Sequence, residues 1–283
     1  MKEAIYYEKL DRNIVRCRLC PYNCIIADGK KGACGVRVNK EGILYTEVYG
    51  KTTGMALDPI EKKPLYHFHT GEHIFSLGTK GCNFHCSFCQ NWHISQELDA
   101  PTQDITSEEA VNKAKELKSF GIAYTYNEPF IWYEFVMDTA KFARKSGLKN
   151  VLVTNGYVNI PPLEKMLPYI DAMNIDLKSF DEDFYTKICH GSLKPVLEVI
   201  KKSAEKCHVE LTNLIIPTLN DSTDTIERMV NWIYTNLGPV VPLHFSRYFP
   251  CYNMSLPPTP IDTMKKAETI AREKLKYVYL GNV

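Results

Sequence analysis

At 283 residues, with 45% hydrophobic and 24% charged content, the chain is long enough to bury a full core as one large α/β domain plus an appendage. A net charge of +1 with scattered basic residues excludes the clustered positive face of a nucleic-acid or anionic-membrane binder. The opening MKEAIYYEKLDRN lacks the apolar run of a signal peptide and no later segment reaches membrane-spanning length, so a cytoplasmic protein away from the membrane is expected.

Residues 1–70, rich in Cys, Gly and Lys with short apolar runs, read as a small N-terminal module. Within it Cys17, Cys20, Cys24 and Cys34 are spaced C-x2-C-x3-C-x9-C, with Gly29, Gly32 and Gly35 available for tight turns. Ten cysteines in a reducing compartment are not expected to form a disulfide framework, and four thiolates this close together point to one closed metal site. Zinc, which would tie loops that cannot build a core, is slightly favoured; an auxiliary [4Fe-4S] cluster, as electron relay or substrate anchor, is the competing choice.

Residues 71–283 alternate short β-type runs with helical patterns: IFSLG, IAYTY, NVLVTN, AMNIDL, VELTNLII and PLHFSRY are the expected strands. Thr106 and Glu109 form a capping box ahead of a helix with Ala110, Ala114 and Leu117 at helical spacing. Ile226, Met229, Val230 and Ile233 form a second stripe, and Met264, Ala267 and Ala271 a third; both read as core contacts. Six strand-helix units suggest a parallel sheet, either doubly wound or a barrel, with functional residues at the C-terminal ends of the strands.

Directly after the first of these strands, GCNFHCSFCQNW places Cys82, Cys86 and Cys89 in a C-x3-C-x2-C loop. Three thiolates on one short loop can hold three corners of a cubane and leave one iron without a protein ligand. A chelating amino acid, such as the methionine part of S-adenosylmethionine (SAM), can bind that iron through amine and carboxylate. Phe88 supplies an aromatic ring where an adenine would pack. The alternatives are a zinc knuckle or reduced buried cysteines; zinc sites usually close with four ligands, and His85 and His93 lack knuckle spacing.

The segment resembles the radical SAM superfamily. With its surroundings, EKKPLYHFHTGE to CQNWHISQ, it is similar to the pyruvate formate-lyase-activating-enzyme-like proteins, and within them to the radical SAM enzyme of the AmmeMemoRadiSam system, across nearly the whole chain. The resemblance implies a partial (β/α)6 TIM-type barrel, a [4Fe-4S] cluster on Cys82, Cys86 and Cys89, and SAM as cosubstrate. It implies an oxygen-sensitive oxidoreductase fed by a low-potential flavodoxin- or ferredoxin-type donor, and association with Memo-like and AMMECR-like proteins.

Residue by residue, TYNEP stands where such enzymes carry a Gly-Gly-Glu-type motif for the methionine ammonium, with Glu128 as the carboxylate and Asn127 as a polar partner; Tyr126 and Asn127 replace the small glycines. On its own the segment also reads as a helix start with Pro129 at the first position. Thr154 and Asn155 of VTNG are implied to meet the ribose or methionine, although Asn-Gly is also a common turn. Asp176 and Lys178 share one face of a strand end, and the resemblance sets them beside SAM; a surface salt bridge is the bland alternative. His244 corresponds to a histidine near the adenosine, or is a satisfied core histidine. Arg247 could bind a substrate carboxylate or phosphate, and Cys251 is a candidate substrate-side thiol. Cys189, Cys207 and His208 read as structural.

The substrate is open: a small molecule, or a glycine backbone of a partner enzyme if the chain is a glycyl-radical-enzyme activase. The reading of a different class is a non-catalytic iron-sulfur or zinc protein that senses redox state or serves as a scaffold.

Overall fold

The computed structural model describes residues 1–283. Its centre is one eight-stranded sheet formed by β1 (Gly54–Pro59), β2 (His73–Gly78), β3 (Gly121–Tyr124), β4 (Lys149–Thr154), β5 (Ala172–Asp176), β6 (His208–Ile215), β7 (Leu243–Arg247) and β8 (Val278–Gly281). Neighbours in the sheet are neighbours in sequence, and β2 to β8 are parallel. The exception is β1, which pairs antiparallel with β2. The two ends, β1 and β8, do not pair, so the sheet is an open, partial barrel.

Helices fill the crossovers that parallel pairing demands: α1 (Ser107–Glu116), α2 (Tyr133–Lys145), α3 (Ile160–Met166), α4 (Leu193–Ala204), α5 (Thr223–Leu237) and α6 (Ile261–Arg272). The Thr106 hydroxyl accepts the Glu109 amide and the Glu109 carboxylate accepts the Thr106 amide, as the capping box requires. Ala110 and Ala114 of α1, the four-residue stripe of α5 and the three-residue stripe of α6 are buried, while Leu117 lies past the end of α1 and is half-buried.

Three departures from the sequence pattern matter. Residues 278–281 form a seventh parallel strand, because Val278 and its successors find an open edge on β7. Gly54–Pro59, inside the segment expected to belong to the small module, is a strand of the barrel sheet. The third departure is that β3 stops at Tyr124 instead of running to Tyr126, because Tyr126 turns to a φ of 74°.

The N-terminal residues build two small antiparallel sheets, Tyr7–Lys9 with Val15–Cys17 and Ile25–Ile26, and Lys2–Glu3 with Ile43–Thr46 and Arg37–Lys40. They are bolted to the barrel by a buried ion pair. Arg37 donates to Glu134 of α2 at 2.7 Å, with both side chains 1% exposed. Below the strands, residues 60–69 cross the barrel floor: Asn174 donates to the Pro64 carbonyl at 2.8 Å and the His67 amide to Glu210 at 2.7 Å.

Candidate active site

A cleft of about 530 Å³ opens at the C-terminal ends of the strands, the end where parallel α/β sheets gather residues from several crossovers. The loop after β2 contributes all three of its cysteines, Cys82, Cys86 and Cys89, together with Phe88. From the ends of β3, β4 and β5 come Asn127 and Glu128, Thr154 and Asn155, and Asp176 and Lys178.

The loop is held by contacts on every side. Gly81 has a φ of 86°, and a Cβ there would stand 2.7 Å from the Cys34 carbonyl oxygen, so both conformation and space call for glycine. Asn127 accepts the Thr79 amide at 3.2 Å and donates to the Gly81 carbonyl at 2.7 Å, so it fixes the start of the loop. His85 and Ser87 donate their amides to the carbonyls of Cys189 and Ile188, and Asn253 donates to the Ser87 carbonyl.

Glu128 does two things at once. It caps the short helical turn Pro129–Trp132 through the Phe130 amide at 2.9 Å, and it accepts from the Thr154 hydroxyl at 2.8 Å and the Asn155 amide at 2.8 Å. The helix-start reading and the cleft reading of TYNEP are thus both true of this residue. Burial pushes the carboxyl up to about 7 despite these donors. Tyr126 takes up the positive φ that a glycine would adopt freely, and it is held there by its hydroxyl on Asp58 at 2.9 Å and by Asn91 on its carbonyl at 2.6 Å.

Lys178 pairs with Asp176 at 2.9 Å, and its ammonium lies 5.7 Å from the centre of the Phe88 ring. Burial works against the charge, but the Asp176 carboxylate, with negative charge on the neighbouring Cys86 and Cys189 sulfurs, outweighs it and holds the lysine well above its ordinary pKa. Asn155 donates to Asn83 at 2.9 Å and approaches the Cys82 sulfur at 3.7 Å.

Other residues with a part in the cleft were not foreseen. Asp58 of β1 accepts from Lys63 at 2.8 Å as well as from Tyr126, and all three line the wall. Thr212 and Ser246 line it from β6 and β7. Inward-facing alternation could have found the last two; Asp58 and Lys63 come from a segment whose strand carries no such signal.

Three sequence candidates stand apart from the cleft. His244 faces the barrel interior but lies three residues before the end of β7, about 10 Å deeper by strand rise; it hydrogen-bonds Glu210 at 2.6 Å and stacks on Tyr279. Arg247 is spent on the Thr259 carbonyl at 2.8 Å and on the Phe249 ring. Cys251 contacts the Cys89 carbonyl at 3.6 Å and packs behind the loop.

No three His, Cys, Asp or Glu side chains converge on a position able to hold a single metal ion. A single ion needs its ligands converged, whereas a cubane takes each thiolate at a different iron and needs them apart. Three thiols on one loop facing an open cleft therefore fit a cluster better than a zinc ion. No helix is long and apolar enough to cross a membrane.

Comparison with known proteins agrees. An uncharacterised protein of Methanocaldococcus jannaschii is 49% identical over the whole chain, which spans 86% of that relative. The pyruvate formate-lyase-activating enzyme of Clostridium pasteurianum is 28% identical over 54% of this chain and 66% of its own length. A protein of M. jannaschii named as a glycyl-radical enzyme activating enzyme is 27% identical over 74% of this chain and 78% of its own. In fold the chain is similar to a radical SAM methyltransferase from Sphaerobacter thermophilus, with a TM-score of 0.58 at 15% identity over 75% of this chain and 67% of that one. The family model of the radical SAM superfamily matches residues 76–233, which span β2 through α5 and carry every cysteine of the cluster loop, and the chain belongs to that superfamily, which implies a [4Fe-4S] cluster and SAM.

Proposed function

We propose that this chain cleaves SAM reductively and uses the 5′-deoxyadenosyl radical to take a hydrogen atom from a substrate bound at the same cleft. The observation that carries the reading is that the three loop thiols share one cleft with Glu128, Asp176 and Lys178, delivered from two other strand ends. Cys82, Cys86 and Cys89 would hold the cluster. When bound there, it would supply the electron that splits the sulfonium.

The protein's own groups have separable roles in this reading. Glu128, immobilised by three donors, offers a carboxylate to the methionine ammonium. Lys178, kept cationic by Asp176, faces the methionine carboxylate, and Phe88 beneath it presents a ring to the adenine. Thr154 and Asn155 orient Glu128, and Asn155 stands beside Cys82. The barrel walls exclude solvent from the radical. Arg247 and Cys251, which do not line the cleft, would reach a substrate only from outside its rim.

The relatives named as activating enzymes favour a second form of the reading, in which the hydrogen comes from a glycine of a partner enzyme. A low-potential flavodoxin- or ferredoxin-type donor would feed either form, and Memo-like and AMMECR-like proteins are the proposed associates. The test is anaerobic reconstitution with iron and sulfide, reduction by dithionite, and quantification of 5′-deoxyadenosine after SAM is added. Deoxyadenosine together with a SAM-shifted electron paramagnetic resonance signal is the expected result. A cluster indifferent to SAM, with no cleavage, would overturn the reading in favour of a redox sensor or scaffold.

A further inference from the structure

The cysteines of the N-terminal module play no part in the cleft chemistry, yet they sit directly behind it. The Cys17 amide donates to the Cys24 carbonyl at 2.9 Å, and the Cys24 sulfur accepts the amide of Ala33, the neighbour of Cys34, at 3.4 Å. Cys20 lies in the turn that the Cys17–Cys24 hydrogen bond closes, its carbonyl accepting the Asn23 amide at 3.0 Å. The turn that carries Cys34 also touches the cluster loop: Gly81 has room only for hydrogen against the Cys34 carbonyl, and the His85 ring bonds the Ala33 carbonyl at 3.0 Å.

A second observation is independent of the cysteine spacing. The Arg37 guanidinium, 1% exposed, gives one nitrogen to both oxygens of Glu134, at 2.8 and 2.7 Å, while its Nε and Nη1 have no partner. Buried N–H donors without an acceptor are costly, and such an orphan in a folded protein points to a missing group. Arg37 follows Cys34 by three residues, and its carbonyl accepts the amide of Gly32, in the turn that carries Cys34, at 2.9 Å. Sulfurs of a metal-thiolate centre carry negative charge and accept N–H bonds, and those bonds tune the centre.

We propose that Cys17, Cys20, Cys24 and Cys34 hold a second [4Fe-4S] cluster, with Arg37 donating to its sulfur shell, on the face of the small module that abuts the Cys82 loop. The orphaned guanidinium favours a cluster over zinc, because the inorganic sulfides of a cubane add acceptors for its N–H groups beyond the four thiolates, and zinc is the alternative that the metal count decides. The site stands without the SAM reading.

The test is a count of iron, acid-labile sulfide and zinc on the anaerobically reconstituted full chain, with electron paramagnetic resonance of the reduced protein. About eight iron and eight sulfide per chain are expected, four for each cubane. The triple variant Cys82→Ala, Cys86→Ala, Cys89→Ala should keep about four iron, with a signal that SAM does not move. The double variant Cys20→Ser, Cys24→Ser should also keep about four, now with a signal that SAM shifts. Wild-type protein holding about four iron and one zinc would overturn the proposal, as would a folded triple variant without iron. If circular dichroism shows the double variant unfolded, the wild-type count and the triple variant still decide. Eight iron with no response to SAM would remove the cleavage reading and leave this site standing.

Discussion

The interior of the barrel has two polar ends that look alike in sequence and differ in what they leave free. At the mouth, Glu128, Asp176 and Lys178 are buried or half-buried yet border an open cleft. At the floor, Glu210 has zero side-chain exposure and is fully engaged: His208 at 3.0 Å, His244 at 2.6 Å and the His67 amide at 2.7 Å. Tyr66 and Tyr279 close over His244. Inward-facing polar residues alone do not mark a site; depth along the strand decides whether they meet a ligand or one another.

The comparison is broken most severely at the mouth. Cys86→Ala with Cys89→Ala should abolish SAM cleavage and remove the loop's iron while leaving the fold intact, as read by deoxyadenosine formation and circular dichroism; cleavage surviving in the double variant would refute the mouth as the site. At the floor the same kind of change should act the other way. His244→Leu strands a buried carboxylate and should cost about 1.5–3 kcal/mol by chemical denaturation, with SAM affinity unmoved; a weakened SAM affinity would return His244 to the cleft.

The two carboxylates also respond oppositely to pH. Although burial opposes it, Glu210 is held down to about 2 by His208 and His244, so its contribution to stability is present above the ordinary carboxylate range, near pH 4.5, and is lost as pH falls toward 2. Glu210→Gln should flatten that acid limb of the stability curve. The Glu128 carboxyl sits at about 7 because it is buried, so its neutral form favours folding at low pH and that advantage is lost as pH rises through 7. An ammonium ligand needs the ionised form, so SAM affinity should tighten by about tenfold as pH rises through this pKa. Glu128→Gln should abolish the dependence; titration of SAM binding at several pH values checks it. The smallest effect lies at neither end: Thr106→Ala removes the α1 cap and should cost about 1 kcal/mol in thermal unfolding, with both pH responses unchanged.

Much of the mouth was legible from the chain alone. Cys82, Cys86 and Cys89 are consecutive on one loop, and Asp176 and Lys178 are two apart on a strand, so local geometry already puts each group on one face. TYNEP signalled a helix start at Pro129 and, through the resemblance, a carboxylate at Glu128; that Glu128 itself caps the turn emerged only in the structure. His244 and Arg247 misled because alternation reports the face of a strand and not its depth, and because the partners that occupy them, Glu210 and the Thr259 carbonyl, are 34 and 12 residues away. Asp58, Lys63 and Tyr126 form a wall only after β1 has paired with β2, which no pattern within 54–59 announces.

By itself the sequence determined the alternation of strands and helices, the capping box, the buried stripes and the cluster loop, since all of these follow from propensities and spacings within a few residues. Tertiary structure alone decided that residues 278–281 extend the sheet as a seventh parallel strand, that Arg37 is buried against Glu134 with two nitrogens left over, and that Cys34 lies against the loop at Gly81. Each of these joins residues far apart in the chain, and such contacts form only when burying surface in the assembled core offsets the entropy of bringing distant segments together.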